Sequence, residues 1–253
     1  MTRIILSGCG GRMGRTVAAC AEGRQDCKIV AGIDVRKGTE LPFPVFEAPE
    51  KVDAGADVLV DFSNPSLLGP LLNFGESTKT PLVLCTTGYS SEQTEALKRA
   101  SRKIPVFYSG NMSLGISLLI ELAKKAARVL GDRFDIEIVE EHHNQKIDAP
   151  SGTALMIADS ISSVLPHDMQ YVYDRHSRRK KREKNEIGIH SIRGGTIVGE
   201  HKVIFAGPHE VLTLSHSAES KEIFALGALQ AAIFLQGKAA GLYGMPDLLN
   251  SKG

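Results

Sequence analysis

Short apolar runs ending in small or polar residues recur along the first half of the chain, and helix-like spacing fills the gaps between them. Arg3 to Ser7 reads as a buried strand, followed by glycines and a helical pattern from Arg15 to Ala21. Lys28 to Ile33, Asp57 to Ser63, Pro81 to Cys85 and Ile104 to Tyr108 read as further strands. Such alternation predicts an α/β domain built on a doubly wound parallel sheet. The second half has another rhythm. Phe134, Ile136 and Ile138 alternate as a strand running into a polar segment, and Thr153 to Leu165 has helical period. Ile187 to Arg193, Gly195 to Phe205 and His209 to Ala218 alternate as strands of a largely antiparallel or mixed sheet. Lys221 to Ala240 then turns helical and is expected to return to the first domain.

The segment between the first strand and its helix carries chemistry. Gly8-Cys9-Gly10-Gly11-Arg12-Met13-Gly14 places glycines where a Rossmann-like turn needs a tight bend, a close approach of backbone to a pyrophosphate, and contact of helix with strand. The spacing is G-x-x-G-x-x-G, a variant of the dinucleotide fingerprint. Asp34, at the end of the second strand, stands where an acidic side chain holds the ribose hydroxyls of NAD. Arg36 and Lys37 follow it and could instead accommodate the extra phosphate of NADP, so NADH and NADPH both stay open. No G-K-[ST] follows the glycines, which disfavours a P-loop nucleotidase. Ligands of doubly wound sheets bind beyond the carboxyl ends of the strands. Asp61 to Ser63, Cys85-Thr86-Thr87-Gly88 and Ser109-Gly110-Asn111-Met112 therefore become candidate contacts on the nicotinamide side.

A second site is expected in Glu140 to Ala154, which concentrates proton donors, a cation and a helix start. Pro150 biases Ala149 away from helical angles and Ser151 stands where an N-cap belongs. The N–H groups of Gly152, Thr153 and Ala154 are then expected to face outward and, with the helix dipole, to favour an anion. Lys146 adds a full positive charge, and His142 or His143 a group that titrates near neutral pH. Together they suit a carboxylated substrate that must receive a proton. No metal site is expected, because the consecutive residues His142 and His143 of a strand point to opposite faces.

Composition narrows the partners. Across 253 residues, 30 Lys and Arg face 29 Asp and Glu, and a net charge of +1 gives no global attraction to nucleic acid or membrane. No apolar stretch is long enough to span a bilayer, and Leu6-Ser7-Gly8-Cys9 is preceded by too few residues to be a lipoprotein cleavage box. Cys9, Cys20, Cys27 and Cys85 form no C-x-x-C pair, and free thiols suit a reducing cytoplasm. The basic run Arg178 to Lys184 reads as a mobile surface loop that could attract an anionic substrate.

On the glycine turn, Asp34, Thr86-Thr87 and above all E-x-H-H-x-x-K-x-D-A-P-S-G-T-A at Glu140 to Ala154, the chain resembles the bacterial 4-hydroxy-tetrahydrodipicolinate reductases of the diaminopimelate and lysine route. Arg193 to His201 supports the resemblance, which covers nearly the whole length. It implies hydride delivery from NADH or NADPH to C4 of a cyclic dicarboxylate, with loss of water. It implies that His142 is the proton donor/acceptor, that Lys146 is a second catalytic residue, and that His143, Ser151, Gly152 and Thr153 bind substrate. Gly8 to Met13, Asp34 and Arg36 are then expected to bind the dinucleotide, with Cys85 to Thr87 and Ser109 to Met112 near its nicotinamide. The expected organisation is a dinucleotide-binding domain over 1–112 completed by 221–253, and an α+β substrate-binding and oligomerisation domain with a mixed sheet over 113–220. A cytoplasmic homotetramer is implied. Cys85, Thr196 and Ser215-His216-Ser217 depart from the commoner family residues. Residue chemistry alone also admits another nicotinamide-dependent dehydrogenase of a small dicarboxylic acid, or a dinucleotide sensor without catalysis.

Overall fold

The computed structural model describes residues 1–35 and 40–251. In chain order the elements are β1 (Thr2–Ser7), α1 (Arg12–Ala21), β2 (Cys27–Ile33), β3 (Val45–Phe46), β4 (Val58–Asp61), α2 (Leu68–Thr78), β5 (Leu82–Leu84), α3 (Ser91–Ser101), β6 (Pro105–Tyr108) and α4 (Leu114–Leu130). There follow β7 (Asp135–His142), α5 (Gly152–Ser162), β8 (Gln170–Val172), β9 (Glu186–Arg193), β10 (Gly199–Ala206), β11 (Val211–Ala218), α6 (Glu222–Leu235), β12 (Gly241–Tyr243) and α7 (Met245–Asn250). They form two compact units, Met1–Leu114 with Lys221–Gly253, and Gly115–Ser220.

The first unit is a seven-stranded sheet in the order β12-β6-β5-β4-β1-β2-β3, parallel at every pairing. Its strands are apolar on both faces because helices cover both. Ile4, Leu6, Val58, Val60 and Val83 pack with Val17 of α1 and with Ala228, Leu229 and Leu235 of α6. Their neighbours Ile5, Leu59, Leu82 and Leu84 turn the other way, onto Leu68 and Leu71 of α2 and Leu97 of α3. This is the doubly wound sheet expected from sequence. Strand order reverses direction between β1 and β4, which puts the glycine turn after β1 at the topological switch point.

The helix expected from Lys221 to Ala240 is shorter. It ends at Leu235, and Gly237 adopts φ +76, the left-handed conformation that terminates helices. Gly241–Tyr243 then adds β12 to the sheet beside β6, a strand too short for its periodicity to show.

The second unit is a five-stranded mixed sheet, β11-β10-β7-β9-β8. β10 pairs antiparallel with β11 and β7, whereas β7, β9 and β8 run parallel. On one face Ile136, Ile138, Ile187, Ile189, Val203 and Phe205 pack against Leu119 and Ala123 of α4 and Ile157 and Ile161 of α5. The strand expected from Gly195 starts only at Gly199, because Gly194 and Gly195 form a turn whose backbone bonds reach His142 and Asn144. The basic run lies on an exposed loop as expected from its composition, but one member, Arg182, is anchored on the sheet. Arg182 donates to the Ile136 and Glu186 carbonyls and to the Glu137 and Asp135 carboxylates, while Arg175 bridges Glu137 and Glu186. The first residues of β7 and β9 hold these guanidiniums, and Arg178, Arg179, Lys181 and Lys184 stay exposed.

Candidate active site

In the first unit the switch point is shaped by two glycines. Gly8 has φ +76, and a Cβ there would lie 2.6 Å from the Phe62 carbonyl oxygen at the end of β4. A Cβ on Gly14 would run into the Gly8 carbonyl oxygen and lie 2.6 Å from the Cys9 Cα, so only glycine lets α1 approach the turn this closely. Gly11 is the N-cap of α1, which has no side-chain cap and no acidic residue in its first turn. Such a helix start favours an anion, and the glycines that let α1 pack against the end of β1 set it where a pyrophosphate would bind. Arg12 and Met13 form the first turn, while Cys9 and Gly10 are buried behind it. Asp34 accepts a hydrogen bond from the Gly10 N–H at 2.8 Å, tying the end of β2 to the turn. Arg36 and Lys37, invoked for a phosphate, lie outside the described residues.

Beside the turn, Asp61 is fully buried and accepts from Thr86 Oγ1 at 2.7 Å and from the Ser63 N–H at 3.2 Å. Burial raises its pKa, against the pull of those hydrogen bonds. Cys85 and Thr86 are buried, Thr87 and Gly88 exposed. Burial, with Asp61 nearby, lifts the Cys85 thiol well above its usual range, and Cys9 rises to about 11, so neither is a thiolate at neutral pH. Ser109 Oγ donates to the Asn111 carbonyl and Asn111 Oδ1 accepts from the Ser113 N–H, which fixes the loop through Gly110 to the buried Met112.

Replacing Gly14 by alanine should therefore cost about 2 kcal/mol of stability through backbone displacement. It should also weaken dinucleotide binding, as read by urea titration and by quenching or enhancement of reduced-nicotinamide fluorescence.

In the second unit the buried face of β7 changes character along its length. Ile136 and Ile138 belong to the core, and the next two residues of the same parity are Glu140 and His142. Register brings His201 of β10 opposite Glu140, and Arg193 of β9 opposite His142. His142 Nδ1 lies 2.5 Å from Glu140 Oε2, and the Arg193 guanidinium spans both Glu140 oxygens at 2.7 and 2.9 Å. The Ser151 N–H donates to Glu140 Oε1 at 3.1 Å. Ser151 Oγ meets His201 Nε2 at 3.1 Å and accepts from the Ala154 N–H, capping α5.

That last bond corrects one expectation, since the Ala154 N–H is consumed by the cap and does not face outward, and the Gly152 N–H is turned toward the Asp148 carboxylate. Thr153 is half-buried and Gly152 exposed. Lys146 Nζ pairs with Asp148 at 2.8 Å, and the Lys146 N–H donates to the His143 carbonyl. Ala149–Pro150 is a cis peptide. Among the described residues no cluster of His, Cys, Asp or Glu could hold a metal ion.

Charges here are strongly biased. Burial works to raise the Glu140 pKa but is outweighed by Arg193, Ser191 and His142, which bring it down to about 2. Burial lowers His142, with Lys146 and Arg193 adding to the shift against the opposing pull of Glu140. Burial and the neighbouring His142 lower His201 to about 4.

A model described as dihydrodipicolinate reductase, N-terminus, matches residues 2–112, and one described as dihydrodipicolinate reductase, C-terminus, matches 115–249. The 4-hydroxy-tetrahydrodipicolinate reductase of Caldanaerobacter subterraneus subsp. tengcongensis is 53% identical over 249 residues, 98% of each chain. The chain belongs to the dihydrodipicolinate reductase family. The reductase of Clostridium tetani is 50% identical, with 99% of this chain and 98% of that one covered. A solved dipicolinate-bound dihydrodipicolinate reductase from Paenisporosarcina sp. TG-14 is 26% identical and superposes with a TM-score of 0.82 over 98% of this chain and 99% of that one. As a member of this reductase family the chain is an oxidoreductase.

Reading the sequence for the reductase site singled out His142, His143, Lys146 and the start of α5 but passed over Glu140, Arg193 and His201 as parts of one network. The signal was available for Glu140, since residues two apart on a strand share a face. It was absent for Arg193 and His201, whose approach depends on strand order. The network predicts an acid-sensitive fold. His201 binds a proton more weakly when folded than its usual 6.5, so the unfolded chain holds more protons between about 6.5 and 4, and stability falls as pH drops through that window. The expected loss is about 3 kcal/mol, and His201→Gln should flatten it in urea titrations across this range.

Proposed function

We propose that the chain reduces 4-hydroxy-tetrahydrodipicolinate to tetrahydrodipicolinate in diaminopimelate and lysine biosynthesis, with NADH or NADPH as hydride donor. The observation that carries this reading is the second unit's juxtaposition of a buried Glu140–His142 pair with Lys146 and the start of α5, in a chain that also carries the glycine turn. When bound at that turn, the reduced nicotinamide supplies the hydride. The balanced reaction consumes substrate, hydride donor and one proton, and releases tetrahydrodipicolinate, oxidised donor and water.

The residues divide the work. Gly8 to Met13 hold the pyrophosphate on the α1 N-terminus, and Asp34 orients the adenosine ribose. Thr86, Thr87 and the Ser109 to Met112 loop face the nicotinamide half, with Cys85 buried behind them. A substrate carboxylate rests on the Thr153 N–H and hydroxyl and, in place of Asp148, on the Gly152 N–H, joined by His143 and the Lys146 ammonium. Ser151 shapes this end of α5 through its cap. His142 and Lys146 handle the proton that leaves with the hydroxyl as water. Thr153→Ala is expected to raise KM roughly 10-fold while kcat changes less than about 3-fold, because its hydroxyl binds ground and transition states alike. Steady-state kinetics with either dinucleotide check this.

We further place the enzyme in the cytoplasm, a setting suited to its four free cysteines, and assign it a homotetramer. Val211 and Leu212 of β11 and Ile192 of β9 are exposed apolar residues on the mixed sheet that self-association would cover. Light scattering of the purified chain tests that assignment. Consumption of reduced nicotinamide on addition of 4-hydroxy-tetrahydrodipicolinate tests the activity itself.

A further inference from the structure

Four hydrogen-bond donors converge on Glu140. His142 Nδ1 and Arg193 Nη1 reach Oε2, while Arg193 Nη2 and the Ser151 N–H reach Oε1. With the Ser191 side chain also hydrogen-bonded to it, the lone pairs of the carboxylate are all engaged if each neighbour donates. At 2.5 Å, a deprotonated Nδ1 would set a lone pair against the carboxylate; the bidentate guanidinium keeps that carboxylate ionised. Neutral His142 must then carry its proton on Nδ1. Nε2 lies on the Gly199 side of the ring, where even a Cβ would approach to 3.1 Å. The His201 ring packs edge-on at 5.3 Å between centroids, and its own Nε2 is engaged by Ser151, so it does not compete for Nε2 of His142.

We propose that Glu140 is a positioning residue for His142, accepting the Nδ1–H so that Nε2 is presented as the reactive nitrogen, while Arg193 holds the carboxylate and balances its charge beside a site for an anionic substrate. The inference rests on His142 handling the proton. The charged and titratable groups facing His142 are Glu140 on its own strand, Arg193 from β9, His201 from β10 and Lys146 from the following loop.

The test is a long-range proton–nitrogen correlation spectrum of the full-length protein labelled at histidine, with His142→Ala assigning the signal, alongside kinetics of Glu140→Gln and Glu140→Asp. Wild-type His142 should be protonated at Nδ1 near neutral pH. Glu140→Gln should lose that tautomer preference, lower kcat roughly 100-fold with KM changed less than about 5-fold, and move the His142 limb of the kcat profile to lower pH. Glu140→Asp should restore part of kcat. A purely structural role for Glu140 would change thermal stability and leave tautomer and pH profile in place. Protonation at Nε2 in the wild type, which needs no variant to fold, overturns the proposal, as does an unchanged tautomer in Glu140→Gln. If the tautomer moves as expected but His142→Ala keeps normal kcat, positioning stands and the proton-handling reading is what fails.

Discussion

Alanine in place of His142 is expected to lower kcat by roughly 1000-fold while KM stays within about 5-fold. The size follows from where the imidazole sits. It is buried, its Nδ1 is committed to Glu140, and burial lowers its pKa, so the neutral ring presents the Nε2 lone pair as a proton acceptor with little solvent to compete. An acid or base acts in the transition state, which is why the loss should fall on kcat. Folding should survive the change, because Glu140 keeps Arg193 and the Ser151 N–H. Steady-state kinetics with parallel circular dichroism distinguish a lost proton carrier from a lost fold, and a near-normal kcat in a folded variant contradicts the assignment.

Removing Arg193 should have the largest effect on stability. Arg193→Ala leaves a fully buried carboxylate without its cation, held by the Ser151 N–H, His142 and the Ser191 side chain, and stranding a buried charge costs about 3–5 kcal/mol. The pH dependence identifies the cause. In the intact protein Glu140 is held at about 2, so it contributes stability above its ordinary 4.5 and loses it as pH falls through its folded value. The variant lacks the main source of that contribution. The gap between variant and parent should therefore narrow as pH falls below about 4.5, and Glu140→Gln in the Arg193→Ala background should recover part of the loss. Urea titrations of the three proteins near neutral pH and near pH 4 measure this; a gap independent of pH would assign the loss to packing instead.

Much of the fold was written locally. β1, the glycine turn and α1 form one continuous signal, and doubly buried strands such as Val58–Asp61 and Leu82–Leu84 show themselves as unbroken apolar runs. Two-residue β3 and three-residue β12 did not, since both exist through pairing with a neighbour. Alternation likewise ran through Gly195 without marking the turn that docks on Asn144. In the candidate site, residues contiguous in sequence were legible: His142, His143, Lys146 and Ser151 to Thr153 stand within one strand, loop and helix start. The groups that set their charges come from elsewhere. Arg193 lies 53 positions from Glu140, and Arg182 reaches across 45 to Glu137. A run of like charges in sequence therefore looked solvated although one member is an anchor.

The most direct test of the central claim is to follow the near-ultraviolet absorbance of reduced nicotinamide while the purified protein meets 4-hydroxy-tetrahydrodipicolinate generated in situ, with NADH and NADPH in separate reactions. The proposed function predicts rapid, enzyme-dependent oxidation of at least one of them, abolished in His142→Ala. Binding of a dinucleotide without its oxidation would contradict it and leave a sensor, or a dehydrogenase of another dicarboxylic acid, as the better account.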